Sequence, residues 1–442
     1  MSRTGRFAPL AGALFTLLAI APLSHAQTVR QDSAATSFEV DGVRVILRRN
    51  SANDVIAANL YLLGGTRQLT EQNEGIEALM LMTSEGGTRR FPKPVLRALT
   101  ARLGVTIAIE PGLDWTLFGL KTLRTDFDSS WALFADRVVA PRLDSIDIER
   151  ARAQMVASAL QADADPDAAV EHLVEGLMYT GHPYRLHPLG TTSSLRVLSP
   201  SAVKRYHDTE VVRSRLLLVV VGNLDRQQLE RAVHSTLGTL PAGSYHWTPA
   251  PPLTPAEERA KLVARTLPTN YVLGYYVGPR PGTRDYAALR IATAILSGRL
   301  FSEVRSRRNL AYAVEAPFVD GAVTLGGFYV TTTDPTAALE AMQAEVLRLQ
   351  KDQVDPAGLH TLVGQFITEY FLKNETNADQ AAFLARAQLY SGDFGAATRF
   401  VSDLRTVTPE DVRDAAQRYM HDTRFGFIGD TTKASRALLA KF

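Results

Sequence analysis

The side chains that could bind a metal ion are thinly spread along this sequence. His172 and Glu175 are three residues apart, a spacing that places both on one face of a helix. A zinc-binding helix of this kind would need a second histidine at the next position, where Gly176 stands. Because a single histidine does not make a metal site, the sequence predicts a structural role for His172.

Two other histidines, His182 and His187, flank prolines in the segment GHPYRLHPLGT at residues 181–191, which predicts that they shape or cap a loop. None of the nine histidines pairs with another at metal-binding helical spacing. Carboxylates also surround the predicted helix GIEALMLMTS: Glu74, Glu77 and Glu85. Zinc sites without histidine or cysteine are unusual, and carboxylates at helical spacing are mostly solvated. We therefore predict that this chain binds no metal.

Composition and motifs exclude several other classes of protein. The chain has 442 residues, of which 45% are hydrophobic and 21% charged, enough for a sizeable core. Its formal net charge of +2 gives no indication of a nucleic-acid groove or a polybasic membrane patch. The sequence contains no G-x-S-x-G elbow, no phosphate-binding loop and no cysteine nucleophile. Peptides or proteins are the expected partners.

The first 26 residues have the pattern of a secretory signal peptide. Two arginines precede an apolar run, which ends in a small-x-small site at Ala26. An uncleaved anchor is the alternative, but Pro9 and Pro22 interrupt the run. The absence of cysteine excludes acylation at a lipobox and permits an oxidising compartment. We predict a secreted, periplasmic protein without an integral membrane span in its mature chain.

The mature chain divides into residues 27–243 and 259–442, joined by a proline-rich linker at 244–258. Strand and helix patterns recur in the same order on both sides of the linker, which indicates a duplication. The predicted fold is α+β, with two tandem homologous domains that each contain a mixed sheet covered by helices.

The best match between the two parts lies near their ends. SLRVLSPSAVKRYHDTEVVRSRLLLVVVGNLD corresponds there to DLRTVTPEDVRDAAQRYMHDTRFGFIGD. Ser199-Pro200 and Thr408-Pro409 are the expected N-cap and first-turn proline of equivalent helices. Each of these helices leads into a predicted buried strand.

In this organisation the chain resembles the pitrilysin-like (M16, inverzincin) metallopeptidases, the family of the mitochondrial processing peptidase and insulin-degrading enzyme. Three segments carry the resemblance: GIEALMLMTSEGGT at 75–88, GHPYRLHPLGT at 181–191 and LSGRLFSEVRSRRNLAYAV at 296–314. The resemblance covers essentially all of the mature chain. It implies pairs of two-domain halves that close into a chamber around a peptide.

The resemblance also implies a zinc motif, His-x-x-Glu-His, whose histidines bind zinc while the glutamate activates water. We call the corresponding residues 78–82 the zinc-motif segment; they are Ala78, Leu79, Met80, Leu81 and Met82. Of the three motif positions that act in the family, 78, 81 and 82, only Met82 offers a ligand atom, a thioether suited to copper(I). The third ligand of the family, a glutamate, falls near Ser158 and Ala159 and is also missing. We expect that the catalytic residues are lost and that apolar side chains pack this helix into its own half.

Arg305 and Tyr312 match an arginine–tyrosine pair that, in the relatives, grips the substrate backbone and helps to stabilise the oxyanion. A guanidinium donates hydrogen bonds to carbonyl oxygens, and a phenol donates to a developing alkoxide. Without the resemblance, a solvated arginine and a core tyrosine are the alternatives. Arg307 and Arg308 are predicted surface charges, and the glycine loop that often precedes this motif is reduced to residues 296–299.

These observations favour the non-catalytic subunit of a secreted heterodimeric zinc peptidase. A homologous partner would carry the zinc, and this chain would supply Arg305, Tyr312 and half of the peptide chamber. The first alternative is a scaffold or peptide-binding protein without a proteolytic role. The second is a self-sufficient metallopeptidase with an unrecognised site.

Overall fold

Two mixed β-sheets, one in each half of the chain, organise the structure. The computed structural model describes residues 34–442, so the predicted signal peptide lies outside the described residues. The strands of the first sheet are β1 (Thr36–Val40), β2 (Val43–Arg49), β3 (Val55–Leu63), β4 (Thr106–Pro111), β5 (Trp115–Leu123) and β6 (Leu216–Gly222). Those of the second are β7 (Ala260–Ala264), β8 (Asn270–Val277), β9 (Ala313–Glu315), β10 (Phe318–Val319), β11 (Leu325–Thr332) and β12 (Arg424–Gly429).

The two sheets share one topology. The first has the strand order β1-β2-β6-β3-β5-β4, and the second has the order β10-β11-β8-β12-β7 with β9 paired to β11. In each sheet the last strand of the half lies parallel to an early one, β6 beside β2 and β12 beside β7. The same last strand pairs antiparallel with the long strand β3 or β8. This shared arrangement confirms the predicted tandem α+β fold.

Helices cover both sheets. Those of the first half are α1 (Ile76–Thr83), α2 (Lys93–Leu103), α3 (Phe127–Val139), α4 (Ser145–Ala164), α5 (Pro166–Met178), α6 (Thr192–Val197), α7 (Pro200–Glu210) and α8 (Arg226–His234). Those of the second are α9 (Arg284–Leu300), α10 (Pro335–Lys351), α11 (Pro356–Lys373), α12 (Asn377–Ser391), α13 (Ala396–Arg405), α14 (Pro409–Tyr419) and α15 (Arg436–Leu439). The side chains of Ser199 and Thr408 accept backbone N–H bonds at the starts of α7 and α14, which confirms both predicted caps.

One helix of each half packs on the sheet of the other half. The apolar face of α5, with Val170 and Val174, packs on the second sheet against Leu273 and Ile428. Reciprocally, α12 packs with Leu384 and Leu389 on the first sheet. Removing either half would therefore expose an apolar sheet face on the other.

The chain between the two sheets contains neither helix nor strand from residue 240 to 259, a stretch that includes the predicted linker. The boundaries 27–243 and 259–442 themselves remain predictions. Among the described residues, no helix is long and apolar enough to cross a membrane.

Candidate functional site

The zinc-motif segment lies in α1, and its side chains belong to the core of the first half. Ala78 and Leu79 are fully buried, Met80 and Leu81 nearly so, and Met82 is half-buried against the same cluster. The helix packs against α4 and α7 of its own half, as expected from the sequence. These side chains do not fit a zinc ion because none supplies a nitrogen or carboxylate ligand.

The carboxylates around α1 have structural partners instead. Glu77 accepts hydrogen bonds from Thr116 Oγ1 at 2.5 Å, Tyr206 Oη at 2.8 Å and Arg215 Nη2 at 2.8 Å. Glu77 and Arg215 are 3% and 1% exposed, so this is a buried ion pair. Burial, together with the neighbouring Glu77 charge, raises the pKa of Tyr206 and keeps its phenol a donor. Glu85 is exposed and lies 3.6 Å from Arg137.

The start of α1 is held by the turn that precedes α6. Glu74 Oε1 accepts the backbone N–H of His187 at 2.6 Å. Gly75 and Gly190 both have positive φ, and a Cβ on Gly75 would lie 2.7 Å from the Gly190 Cα. The two backbones approach too closely for a side chain, which accounts for glycine in both segments.

The position expected for a third zinc ligand is equally unsuited to zinc. Ser158 and Ala159 lie on α4, where Ser158 is exposed and Ala159 half-buried, and neither carries a carboxylate. Nothing in the zinc-motif segment or at this position replaces the missing donors, so the peptidase chemistry of the family cannot be derived from these residues.

A different set of metal-binding side chains meets between α5 and the turn after it. Ligand atoms of His172, Glu175 and His187 lie within 4.8 Å of one another, and we call this set the histidine–glutamate cluster. The rings of His172 and His187 are edge to face with centroids 4.5 Å apart. The sequence predicts a loop-shaping role for His187 and a separate structural role for His172. Both roles remain predictions; the contact between the two rings, which they did not include, arises because the turn returns the chain to α5.

The turn itself is built around the other histidine. His182 is buried; its Nδ1 accepts the Tyr184 N–H at 3.1 Å, and its Nε2 lies 3.1 Å from the Pro251 carbonyl oxygen. Burial lowers the pKa of His182, which favours the neutral ring that can accept the first bond and donate the second. The predicted loop-shaping role of His182 is thus confirmed.

The electrostatics of the histidine–glutamate cluster depend on burial. Burial, with a contribution from His172, lowers the pKa of His187 and leaves the ring neutral. Burial, with a contribution from Glu171, raises the pKa of Glu175 to about 7. Among the described residues, none forms a hydrogen bond or ion pair with the side chains of the cluster.

In the second half, Arg305 and Tyr312 are both at the surface. Arg305 lies in a π-helical segment, Phe301–Arg307, that continues α9. Its guanidinium carbon is 5.1 Å from the ring centre of Phe301 and 5.7 Å from that of Tyr312. Tyr312 is 82% exposed, so the alternative of a core tyrosine is wrong. We call these three residues the cation–aromatic patch.

The charges near the patch are arranged around Glu303. Arg307 Nη1 donates to Glu303 Oε2 at 2.5 Å and Arg308 Nε to Oε1 at 2.8 Å, and both arginines are exposed, as predicted. Arg305 has no carboxylate partner among the described residues. The guanidinium therefore retains hydrogen-bond donors for a ligand.

The glycine loop expected at residues 296–299 is not a loop. These residues form the last turns of α9, which runs without interruption into the π-helical segment. Gly298 faces open space, so the helix tolerates it without a turn. Phe301 was not singled out in the sequence, although its position four residues before Arg305 is a contact spacing in helices.

A cavity of about 930 Å³ lies elsewhere in the second half, between α9 and the helices that follow α10. Arg290, Asp320, Tyr370 and Arg386 are among its lining residues. Neither the cation–aromatic patch nor the histidine–glutamate cluster contributes to it.

Comparison with known proteins agrees with this fold. The family model "Insulinase (Peptidase family M16)" matches residues 44–192, and "Peptidase M16 inactive domain" matches residues 198–366. An uncharacterized zinc protease of Streptomyces coelicolor is 24% identical over 324 residues, 69% of each chain. Human mitochondrial cytochrome b-c1 complex subunit 1 is 24% identical over 259 residues, 58% of this chain and 54% of that protein.

Solved structures show the same architecture. A protease from Helicobacter pylori superposes with a TM-score of 0.81 at 18% identity, covering 90% of this chain and all of that one. The periplasmic protease PqqL from Escherichia coli gives a TM-score of 0.74 at 15% identity, over 96% of this chain and 49% of that one. Because two models of one family together match most of the sequence, this chain belongs to the peptidase M16 family.

Proposed function

We propose that this chain is the non-catalytic, substrate-gripping subunit of a secreted heterodimeric M16 zinc peptidase. A homologous partner with an intact His-x-x-Glu-His motif binds the zinc. This chain supplies the cation–aromatic patch and half of the peptide chamber. The observation that carries the proposal is an exposed Arg305 without a carboxylate partner among the described residues, stacked against an exposed Tyr312.

The chemistry of the patch supports a role in binding peptides. Arg305 presents its donors beside the rings of Phe301 and Tyr312, which its guanidinium contacts. Such donors match the carbonyl oxygens of an extended peptide, and they stabilise negative charge that develops on the cleaved carbonyl. The zinc-motif segment, by contrast, contributes packing to the subunit and no metal ligand.

Two observations support the proposed secretion and periplasmic location: the pattern of the first 26 residues and the similarity to a periplasmic protein. The signal-peptide pattern directs export, and the relative from Escherichia coli is described as a periplasmic protease. Several relatives are named zinc proteases, which supports a peptidase role for this chain.

A pull-down from the native host, with the mature chain tagged at one end, tests the pairing. We expect a homologous chain with His-x-x-Glu-His to co-purify and the complex to cleave a quenched fluorescent peptide library. Arg305→Ala should lower kcat by about 100-fold, the loss typical of an oxyanion donor, while the complex still elutes as a dimer. Arg307→Ala is the matched control and should leave cleavage unchanged. Unchanged cleavage by the Arg305→Ala complex would remove the assigned role.

A scaffold without proteolytic work is the second candidate, favoured by the likeness to cytochrome b-c1 complex subunit 1. In that case the chain would co-purify with subunits that lack the zinc motif. Neither Arg305→Ala nor Tyr312→Phe would then alter any peptide cleavage, since none would occur.

A further inference from the structure

We propose that His172, Glu175 and His187 bind one zinc ion, at a site distinct from the zinc-motif segment. Two imidazoles and one carboxylate form a donor set that zinc accepts, and three protein ligands leave a fourth position for water or another ligand. The ligand atoms come from two segments of the chain that the fold brings together, α5 and the turn at 181–191.

The local sequence fixes two of the ligands. Asp165 caps α5 by accepting the N–H of Asp167 at 2.8 Å, and Pro166 occupies the first turn. From this start, the helical period places His172 and Glu175 on one face. The opposite face, with Val170 and Val174, is buried against the second sheet, so α5 cannot rotate away from the turn.

The third ligand is positioned by its backbone. Glu74 Oε1 accepts the His187 N–H at 2.6 Å, which ties the turn to the start of α1. The close approach of Gly75 and Gly190 holds the same turn from its other end. His187 is thus placed by main-chain contacts, and its ring remains free to turn toward a metal ion.

The distances fit a site that tightens when zinc binds. Ligand atoms around a tetrahedral zinc lie roughly 3.4 Å apart, given zinc–ligand bonds of about 2.1 Å. The three atoms lie within 4.8 Å of one another, so side-chain rotation must bring them closer by about 1.4 Å at most. This rotation breaks no hydrogen bond with a described residue.

The donor atoms of the cluster suit zinc better than calcium or magnesium. Imidazole nitrogen is a poor ligand for hard cations, which select sets of oxygen atoms. All three side chains are half-buried, so a metal ion can reach them from solvent. Partial burial also removes some of the water around the Glu175 carboxylate, which destabilises its charged form. A bound divalent cation would offset that cost.

The test uses the isolated, tag-free mature chain, so that neither a histidine tag nor a partner contributes zinc. After dialysis against chelator, the protein is titrated with Zn²⁺ by calorimetry and with Co²⁺ by visible absorption. We expect one ion per chain, a tetrahedral cobalt spectrum, and a zinc-dependent rise in Tm. His172→Ala and His187→Ala should each weaken zinc binding by more than about 100-fold, beyond the effect of losing a supporting contact.

His360→Ala is the matched control, because His360 is an exposed histidine on α11 outside the cluster. It should bind zinc as the parent does. Glu175→Gln retains the shape of the side chain and should weaken binding even if the alanine variants fold poorly. Circular dichroism before titration identifies variants that have unfolded.

Equal zinc uptake by the parent and by folded Glu175→Gln and His187→Ala variants would overturn the proposal, as would no uptake by the parent. Because no partner or peptide is present, the result is independent of the proposed peptidase role. The inference differs from the prediction that this chain binds no metal, which was based on helical spacing and on the ligand preference of zinc.

Discussion

The zinc-motif segment and the cation–aromatic patch differ in what surrounds them. Residues 78–82 belong to a buried apolar helix, whereas Arg305 and Tyr312 face solvent. The first region is explained by contacts within the chain. The second is exposed, so packing within the chain does not account for its residue types. Packing alone accounts for the zinc-motif segment, whose side chains lack the nitrogen and carboxylate ligands of the family motif.

The buried ion pair beside the zinc-motif segment shows how firmly that region is built into the fold. Glu77 receives hydrogen bonds from three side chains, which lie on β5, on α7 and on the residue just before β6. The helix therefore links the sheet to its covering helices. We therefore expect loss of the Glu77 ion pair to destabilise the first half.

The largest effect is expected when this ion pair is broken. Glu77→Ala leaves the buried Arg215 with only the more distant and more exposed Glu210 carboxylate at 3.5 Å, and we expect the free energy of unfolding to fall by about 3–5 kcal/mol. Urea denaturation followed by circular dichroism measures the change. Glu85→Ala, on the exposed end of the same region, is the control and should cost less than about 1 kcal/mol. Equal losses from both variants would show that α1 is not anchored in this way.

A smaller loss is expected when the first histidine of the zinc motif is restored. Ala78 is fully buried, so Ala78→His forces a larger polar ring into the core and should destabilise the chain by about 1–3 kcal/mol. Met82→His, at a half-buried position, should cost less. Thermal unfolding of both variants gives the comparison. A stable Ala78→His variant would mean that the core still has room for a metal ligand.

Much of the fold could be predicted from the sequence because the duplication repeats local patterns. The caps at Ser199 and Thr408 and the buried strands that follow are set by residues a few positions apart. The exchange of α5 and α12 between the sheets was not predictable in this way. The apolar face of α5 indicates burial, but nothing local specifies which sheet it covers.

The candidate sites also combine features that the sequence predicts with features that depend on contacts between distant segments. A family resemblance located Arg305 and Tyr312, yet their exposure depends on the π-helical segment and on the strand that follows. The meeting of His172 and His187 depends on a turn held by Glu74, a contact across 113 residues. Helical spacing carries no information about such a contact, so the histidine–glutamate cluster could be found only in the structure.

The smallest effect on stability is expected at the cation–aromatic patch. An exposed cation–π contact contributes about 0.5–1 kcal/mol, and Tyr312 is 82% exposed, so its ring buries little apolar surface. Tyr312→Ala and Arg305→Met should therefore each change the free energy of unfolding by less than about 1 kcal/mol in urea. Val304→Ala, in the same segment but fully buried, is the control and should cost more.

The small expected change in the free energy of unfolding distinguishes the cation–aromatic patch from the zinc-motif segment. If Tyr312→Ala destabilised the chain as much as Val304→Ala, the tyrosine would be a packing residue and its exposure would carry no functional meaning. If it leaves stability intact, the exposed ring of Tyr312 contributes little to the folding of the chain. That result agrees with the proposed role of the cation–aromatic patch in peptide binding, which the cleavage kinetics of the Arg305→Ala complex test.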